Sequence, residues 1–242
     1  MVEQMAVNHP VVGSSPTDTA FYNKGIVMYW NWPKTKTNNK IKVLPYRHDL
    51  YKIFLRGNKV GVEIGVAQGK NAVDILQYAR PDKLHLVDPW DWDGYLHIHG
   101  TVTPQADQNR REIEEYRSTF TDWKSYVEDV FEEEIQSNKV ELHQLKGQDW
   151  LKQQEDNSLD FVYCDALKHP GEIGSFLNES MRVLRKDGLF CGHDYFNHGQ
   201  ARGLAHNVHV PILDAIQDGQ IRLLGLSTDV HLPPSFVCRV NK

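Results

Sequence analysis

Residues able to do chemistry cluster in four short stretches of this chain, each where an apolar run gives way to a turn. The first is Val62-Glu63-Ile64-Gly65-Val66-Ala67-Gln68-Gly69-Lys70, in which an acid closes a β-branched run and two glycines flank the bend that follows. Glycine at position 65 would let a ligand come within van der Waals range of the backbone. The free N–H groups of a helix opening beyond Gly69 would suit a carboxylate as well as a phosphate. The second stretch is Val87-Asp88-Pro89-Trp90. An acid at the tip of the next strand, roughly 20 residues after the glycine turn, can accept hydrogen bonds from both hydroxyls of a ribose. The third, Asp160-Phe161-Val162-Tyr163-Cys164-Asp165 with His169 beyond it, and the fourth, Gly192-His193-Asp194-Tyr195, each bring an acid and a histidine. Asp165 and Asp194, ending neighbouring strands, could hold a divalent cation such as Mg²⁺ through oxygen ligands. His193 and His169 have an intrinsic pKa suited to general base work. Each position also has a plain structural use: a tight turn for the glycines, a capped strand end for Asp88, a loop hydrogen bond for Asp194 and a satisfied core histidine for His193.

These clusters need strands that end at one edge and helices that return the chain. The periodicity predicts helices over 49–56, 70–80, 106–137 (with a break at Thr121-Asp122), 171–185 and 204–217 (interrupted at Pro211). Strands are expected at 60–64, 84–87, 140–145, 159–164 and 189–193, with a closing pair at 221–226 and 235–240. Strands separated by helices, and apolar without alternation, imply a doubly wound α/β fold with a mostly parallel sheet. The closing pair, joined only by a loop through Pro233-Pro234, implies one antiparallel strand at the end of the sheet. Residues 40–242 read as one domain, and residues 1–39 as a polar N-terminal tail without periodicity. Within that tail Val11–Thr17 resembles the translation of a transfer-RNA gene's T-arm, so a biological start at Met28 is one expectation and a disordered tail the other. The aromatic run 29–32 is expected to pack on the domain or line a cleft.

Composition narrows the class. With 40% hydrophobic residues in 242, the chain can bury a sizeable core, so wholesale disorder is excluded. A net charge of −5 argues against a dedicated nucleic-acid partner, and no apolar run approaches the ~20 residues of a membrane span. Cys164, Cys191 and Cys238 are odd in number and each sits in an apolar run, as expected of buried thiols in a reducing, cytoplasmic compartment.

Taken in order, the glycine turn, Asp88-Pro89-Trp90, the strand ending at Asp165 and Gly192-His193-Asp194-Tyr195 resemble the class I S-adenosylmethionine-dependent methyltransferases, nearest to their small-molecule and sugar O-methyltransferases. The likeness runs over roughly residues 58–215. It implies a Rossmann-like fold, S-adenosylmethionine as cofactor and a small-molecule hydroxyl as acceptor, and it is compatible with a homo-oligomer. It also implies that Glu63, Gly65 and Gly69 surround the methionine end and Asp88 the ribose. Trp90 would pack on the purine, Gln148 or Asp149 would lie near the adenine, and Asp165 would contact cofactor or acceptor. The dinucleotide pattern G-x-G-x-x-G is absent, since Ala67 stands at its second glycine; this counts against the alternative of a nucleotide-dependent oxidoreductase. A non-catalytic cofactor-binding relative is the third reading. Two features depart from the family: His169 stands one position late after Asp165, and the glycine pair before the fifth strand is reduced to Asp187-Gly188. Residues 90–109 form a long insert whose Trp92, Tyr95, His97 and His99 could face a sugar or ring.

Overall fold

The apolar runs sort into two cores, one on each face of a single large sheet. The structure is a computed structural model that describes residues 19–22, 25–28, 40–57, 60–91, 122–166, 170–195, 208–229 and 233–242. The aromatic run 29–32, most of the 90–109 insert, residues 106–121 and His169 lie outside them.

The strands are β1 (Thr19–Tyr22), β2 (Gly25–Met28), β3 (Lys42–Leu44), β4 (Val60–Ile64), β5 (Lys83–Val87), β6 (Val140–His143), β7 (Leu159–Cys164), β8 (Leu184–Gly192), β9 (Ile221–Ser227) and β10 (Phe236–Val240). β1 and β2 pair antiparallel, so the segment expected to be a tail carries a hairpin. The other eight make one sheet in the order β3-β9-β10-β8-β7-β4-β5-β6. Every pairing in it is parallel except those of β10, which runs antiparallel to both β8 and β9. The antiparallel strand is therefore the last of the chain but sits inside the sheet. β9 and then β3 lie outside it, because the first strand after residue 40 returns to pair with β9.

Side chains alternate across each strand, and both sets are apolar. Val62, Ile64, Val162, Cys164 and Phe190 face one core; Phe161, Tyr163, Leu189 and Cys191 face the other. The first face is covered by α5 (Gly147–Gln153), α6 (Pro170–Val183) and α7 (His209–Gln217). The second is covered by α1 (Arg47–Leu50), α2 (Lys70–Asp74) and α3 (Trp123–Val130), with α4 (Glu132–Gln136) following it. α1 and α2 each run on as a π-helical turn, over Tyr51–Leu55 and Ile75–Ala79. α3 is capped by Asp122, whose Oδ1 accepts from the Ser125 N–H at 3.3 Å, at the expected break. The expected break at Pro211 is not one: proline falls in the first turn of α7, where no intrahelical N–H is required. β6 stops at His143, two residues short of expectation, because the chain bends into the Lys146 cap of α5. All three cysteines are buried, and none is in a disulfide among the described residues. No helix among the described residues is long and apolar enough to cross a membrane.

β4 pairs with β5 on one side and β7 on the other, so the order reverses there and a crevice opens at the strands' carboxyl ends.

Candidate active site

Backbone hydrogen bonds draw all four sequence clusters together at that crevice. The Gly65 N–H donates to Val87 O at 3.0 Å, the Asp165 N–H to Ile64 O at 2.8 Å and the His193 N–H to Cys164 O at 3.2 Å. The glycine turn, Asp165 and His193 therefore occupy successive strand ends. The crevice reads from β5 through β4 and β7 to β8.

Gly65 adopts φ +88°, in the left-handed region. A Cβ there would lie 2.7 Å from Ala166 N and 2.7 Å from Asp165 C, so glycine is required by the neighbouring strand's own backbone. The β7 strand end thus fills the Cβ side of Gly65, and a ligand could come up to its backbone only from another side. Gly69, at φ +75°, caps α2 and would bring a Cβ to 2.8 Å from the Phe131 ring.

Glu63, at the end of β4, is 1% exposed. Its Oε1 accepts from Asn71 Nδ2 at 2.9 Å, and Asn71 Oδ1 in turn accepts from the Tyr51 hydroxyl at 2.6 Å. Its Oε2 has no hydrogen-bond partner among the described residues. Burial pushes this carboxyl up to about 8, against the pull of the Asn71 bond and with Asp165 and Asp88 adding negative potential. A half-satisfied buried acid at a crevice is a place for a cationic hydrogen-bond donor. The polar chain continues into the fold: Tyr51 packs edge-on against Tyr163, whose hydroxyl lies 3.2 Å from Ser235 Oγ.

Asp88 is more committed than the sequence reading expects. Its Oδ2 accepts from the amides of Val66 at 2.9 Å and Ala67 at 3.0 Å, and its Oδ1 from that of Trp90 at 2.7 Å. Of roughly four lone-pair sites on a carboxylate, one remains at Oδ1. Asp88 can therefore take one further hydroxyl without releasing the turn, not two. Its carboxyl is raised by burial, and the three amides offset part of that rise. Trp90, at φ +43°, donates from Nε1 to Ala67 O at 3.0 Å, so its indole latches the same turn. Asp88→Ala is expected to cost about 1–3 kcal/mol, the range for leaving a buried polar group without its partner, since it removes three acceptor contacts at once. Urea unfolding checks this; an unchanged midpoint would mean the turn holds itself.

At the far end of the crevice His193 stands between two acids. Its Nδ1 lies 3.1 Å from Asp194 Oδ1 and 3.7 Å from Asp165 Oδ1. Asp194 is buried and, at φ +59°, carries left-handed backbone strain. The two acids are thus brought together as expected, but with an imidazole nitrogen beside them. Gln148 and Asp149 lie in the first turn of α5; Gln148 is partly buried, whereas Asp149 is exposed and 3.9 Å from Lys152. Sequence reasoning missed Asn71 and Tyr51, which orient Glu63. Asn71 follows the helix start directly and is apolar-flanked by Ala72, so only its place on the sheet-facing side betrays it.

A protein-family model for a methyltransferase domain matches residues 62–195, which holds the whole crevice. No curated protein matches the chain in sequence. Among solved structures, a SAM-dependent methyltransferase from Aquifex aeolicus is 13% identical with a TM-score of 0.51, over 81% of this chain and 90% of that one. An O-methyltransferase from Bacillus cereus in complex with SAH is 10% identical with a TM-score of 0.53, over 81% and 80% of the two chains. An O-methyltransferase from Streptomyces achromogenes involved in tomaymycin synthesis, in complex with SAM, is 14% identical with a TM-score of 0.53, over 81% and 78%. At these identities the likeness is one of fold.

Proposed function

The chain belongs to the methyltransferase-domain family, and from that membership we propose that it transfers the methyl group of S-adenosylmethionine to a hydroxyl oxygen of a small molecule, sugars included. One observation carries the oxygen-acceptor reading: His193 Nδ1 is held 3.1 Å from Asp194 Oδ1, at the end of β8, one strand removed from the β4 end that carries Glu63. The O-methyltransferases of the same fold, bound to SAH or SAM, support the choice of cofactor.

When bound, S-adenosylmethionine supplies a methyl group on positively charged sulfur, which is already electrophilic. The protein has chiefly to align an oxygen with it and remove that oxygen's proton. Glu63 Oε2, buried and unmatched, fits the ammonium of the methionyl end. Asp88 keeps one lone pair for a ribose hydroxyl, and Gln148 is the better of the two α5 residues for the adenine. In this reading Asp194, 3.1 Å from Nδ1, orients the imidazole, and His193 accepts the hydroxyl proton at Nε2. Asp165 then adds negative potential that steadies the resulting imidazolium.

Magnesium fits this site poorly. That ion prefers near-octahedral oxygen ligation, whereas the Asp165–His193–Asp194 set places an imidazole nitrogen with the two carboxylates.

The test is methyl transfer from labelled S-adenosylmethionine to a panel of phenols, sugars and aliphatic alcohols, with the product's methyl located by NMR. Methylation on oxygen is the expected outcome; methylation on nitrogen or carbon, or binding without turnover on any acceptor, overturns the reading. His193→Gln should lower kcat by about 10²–10⁴, the usual share of general base catalysis, with S-adenosylhomocysteine affinity unchanged. An unaffected kcat would remove His193 from the chemistry.

A further inference from the structure

At the edge of the sheet, on the face of β5 and β6 that packs on Trp150, a second group of ligand-type side chains lies together. β5 and β6 pair in parallel with His85 opposite Glu141 and Val87 opposite His143. Because side chains alternate along a strand, His85, Glu141 and His143 project to the same side, with Lys83 beside them. His85 Nδ1 lies 3.0 Å from His143 Nε2 and 3.7 Å from Glu141 Oε2, and His143 Nε2 lies 3.8 Å from Glu141 Oε1. Ligands held about 2.0–2.1 Å from a tetrahedral ion stand about 3.3–3.4 Å apart. The two imidazole nitrogens are slightly closer than that, and each faces a different oxygen of Glu141 at slightly more, so a small turn of the carboxylate brings one oxygen to both.

The surroundings suit an ion. The Trp150 ring lies beneath both imidazoles, 5.2 Å from the His85 ring and 5.3 Å from that of His143, centroid to centroid. The histidine side chains are 14% and 20% exposed, whereas Glu141 is 44% exposed and opens the group to solvent. Lys83 Nζ sits 2.7 Å from Glu141 Oε2 and holds the carboxylate in place, as outer partners of metal ligands commonly do. We propose that His85, Glu141 and His143 form a site for a divalent transition-metal ion of the zinc class, with water in the fourth position.

Two imidazole nitrogens and one carboxylate select against Mg²⁺ and Ca²⁺, which prefer oxygen. Without the ion the two facing nitrogens share one proton in a hydrogen bond. The ion takes that proton's place, and the displaced proton moves to the other nitrogen of the same ring. Bound there, the ion ties edge strand β6 to β5 above Trp150 and so steadies α5, whose first turn carries Gln148. Its ligands include no residue assigned to the reaction, although the His143 carbonyl accepts the Asp88 N–H at 3.1 Å and so adjoins the crevice.

The experiment is calorimetric titration of the intact, chelator-stripped chain with Zn²⁺, and visible spectroscopy of the Co²⁺ form. One equivalent of Zn²⁺ should bind, and Co²⁺ should give the intense bands of a tetrahedral centre. Removing an inner ligand exceeds the roughly 10–100-fold cost of losing an outer one, so His143→Ala should weaken Zn²⁺ by more than about 100-fold. Glu141→Gln, at a more exposed position, repeats the test with little risk to folding, and far-UV circular dichroism verifies both variants. Asp194→Asn should leave the affinity unchanged. Absence of a saturable equivalent, its survival in both variants, or its loss in Asp194→Asn overturns the proposal.

Discussion

Gly65→Val is expected to leave little folded protein at 37 °C. The left-handed backbone at φ +88° costs an L-residue roughly 1–2 kcal/mol, and more for a β-branched one. The added Cβ also meets Ala166 N and Asp165 C at 2.7 Å, and both are backbone atoms pinned by the Asp165 N–H to Ile64 O bond. Forcing them apart adds the roughly 1–3 kcal/mol typical of overpacking. Together these approach the lower end of the ~5–15 kcal/mol that holds a domain folded. Thermal unfolding of the apo protein checks this, with Gly65→Ala as the milder step. A wild-type melting temperature in Gly65→Val would mean that the glycine faces open space, as the sequence reading has it.

Glu63→Gln should raise stability at alkaline pH while weakening cofactor binding. The carboxyl titrates near 8 in the fold against an ordinary 4.5, so between those values the folded chain holds a proton that the unfolded chain has released. Folded protein thus binds more protons, and its stability falls as pH rises through that window and is lost most fully above about 8. At about 1.4 kcal/mol for each tenfold change in proton affinity, the wild type should lose on the order of several kcal/mol between pH 5 and 9. The glutamine variant, which cannot ionise, should not show this loss. Melting curves across that range decide it, and parallel curves for both proteins would sink the assignment. Binding should respond in the opposite sense. A cationic ammonium needs the ionised carboxylate, so S-adenosylhomocysteine should bind the wild type more tightly as pH rises toward 8, releasing a proton as it does. Losing that charge-assisted contact costs about 1.5–3 kcal/mol, or about 10–100-fold in affinity.

The strand ends were legible in the sequence because each is a buried apolar run closing on an acid, and the parallel order follows from the helices between them. The position of β10 was not, since a strand pair joined by a loop says nothing about which member is outermost. Only the return of β3 to β9 decides that. Glu63, Asp88, Asp165, His193 and Asp194 could be named from residue type and place at a strand tip. Their detailed roles could not, because these depend on which lone pairs the fold has already used. Asp88 shows this best: its type suggests a ribose ligand, yet three of its acceptor sites serve Val66, Ala67 and Trp90. The His85–Glu141–His143 group was invisible for a different reason. Glu141 and His143 are two apart on one strand, but His85 joins them only through the β5–β6 register.

The most direct measurement is a crystal structure of the chain with S-adenosylhomocysteine, with NAD offered in a parallel soak. The nucleoside is expected beside the β4 turn, its ammonium within hydrogen-bond distance of Glu63 Oε2 and its sulfur facing His193, with no NAD bound. A turn left bare by S-adenosylhomocysteine, or filled by the pyrophosphate of NAD, would contradict the assignment of that crevice to a sulfonium cofactor.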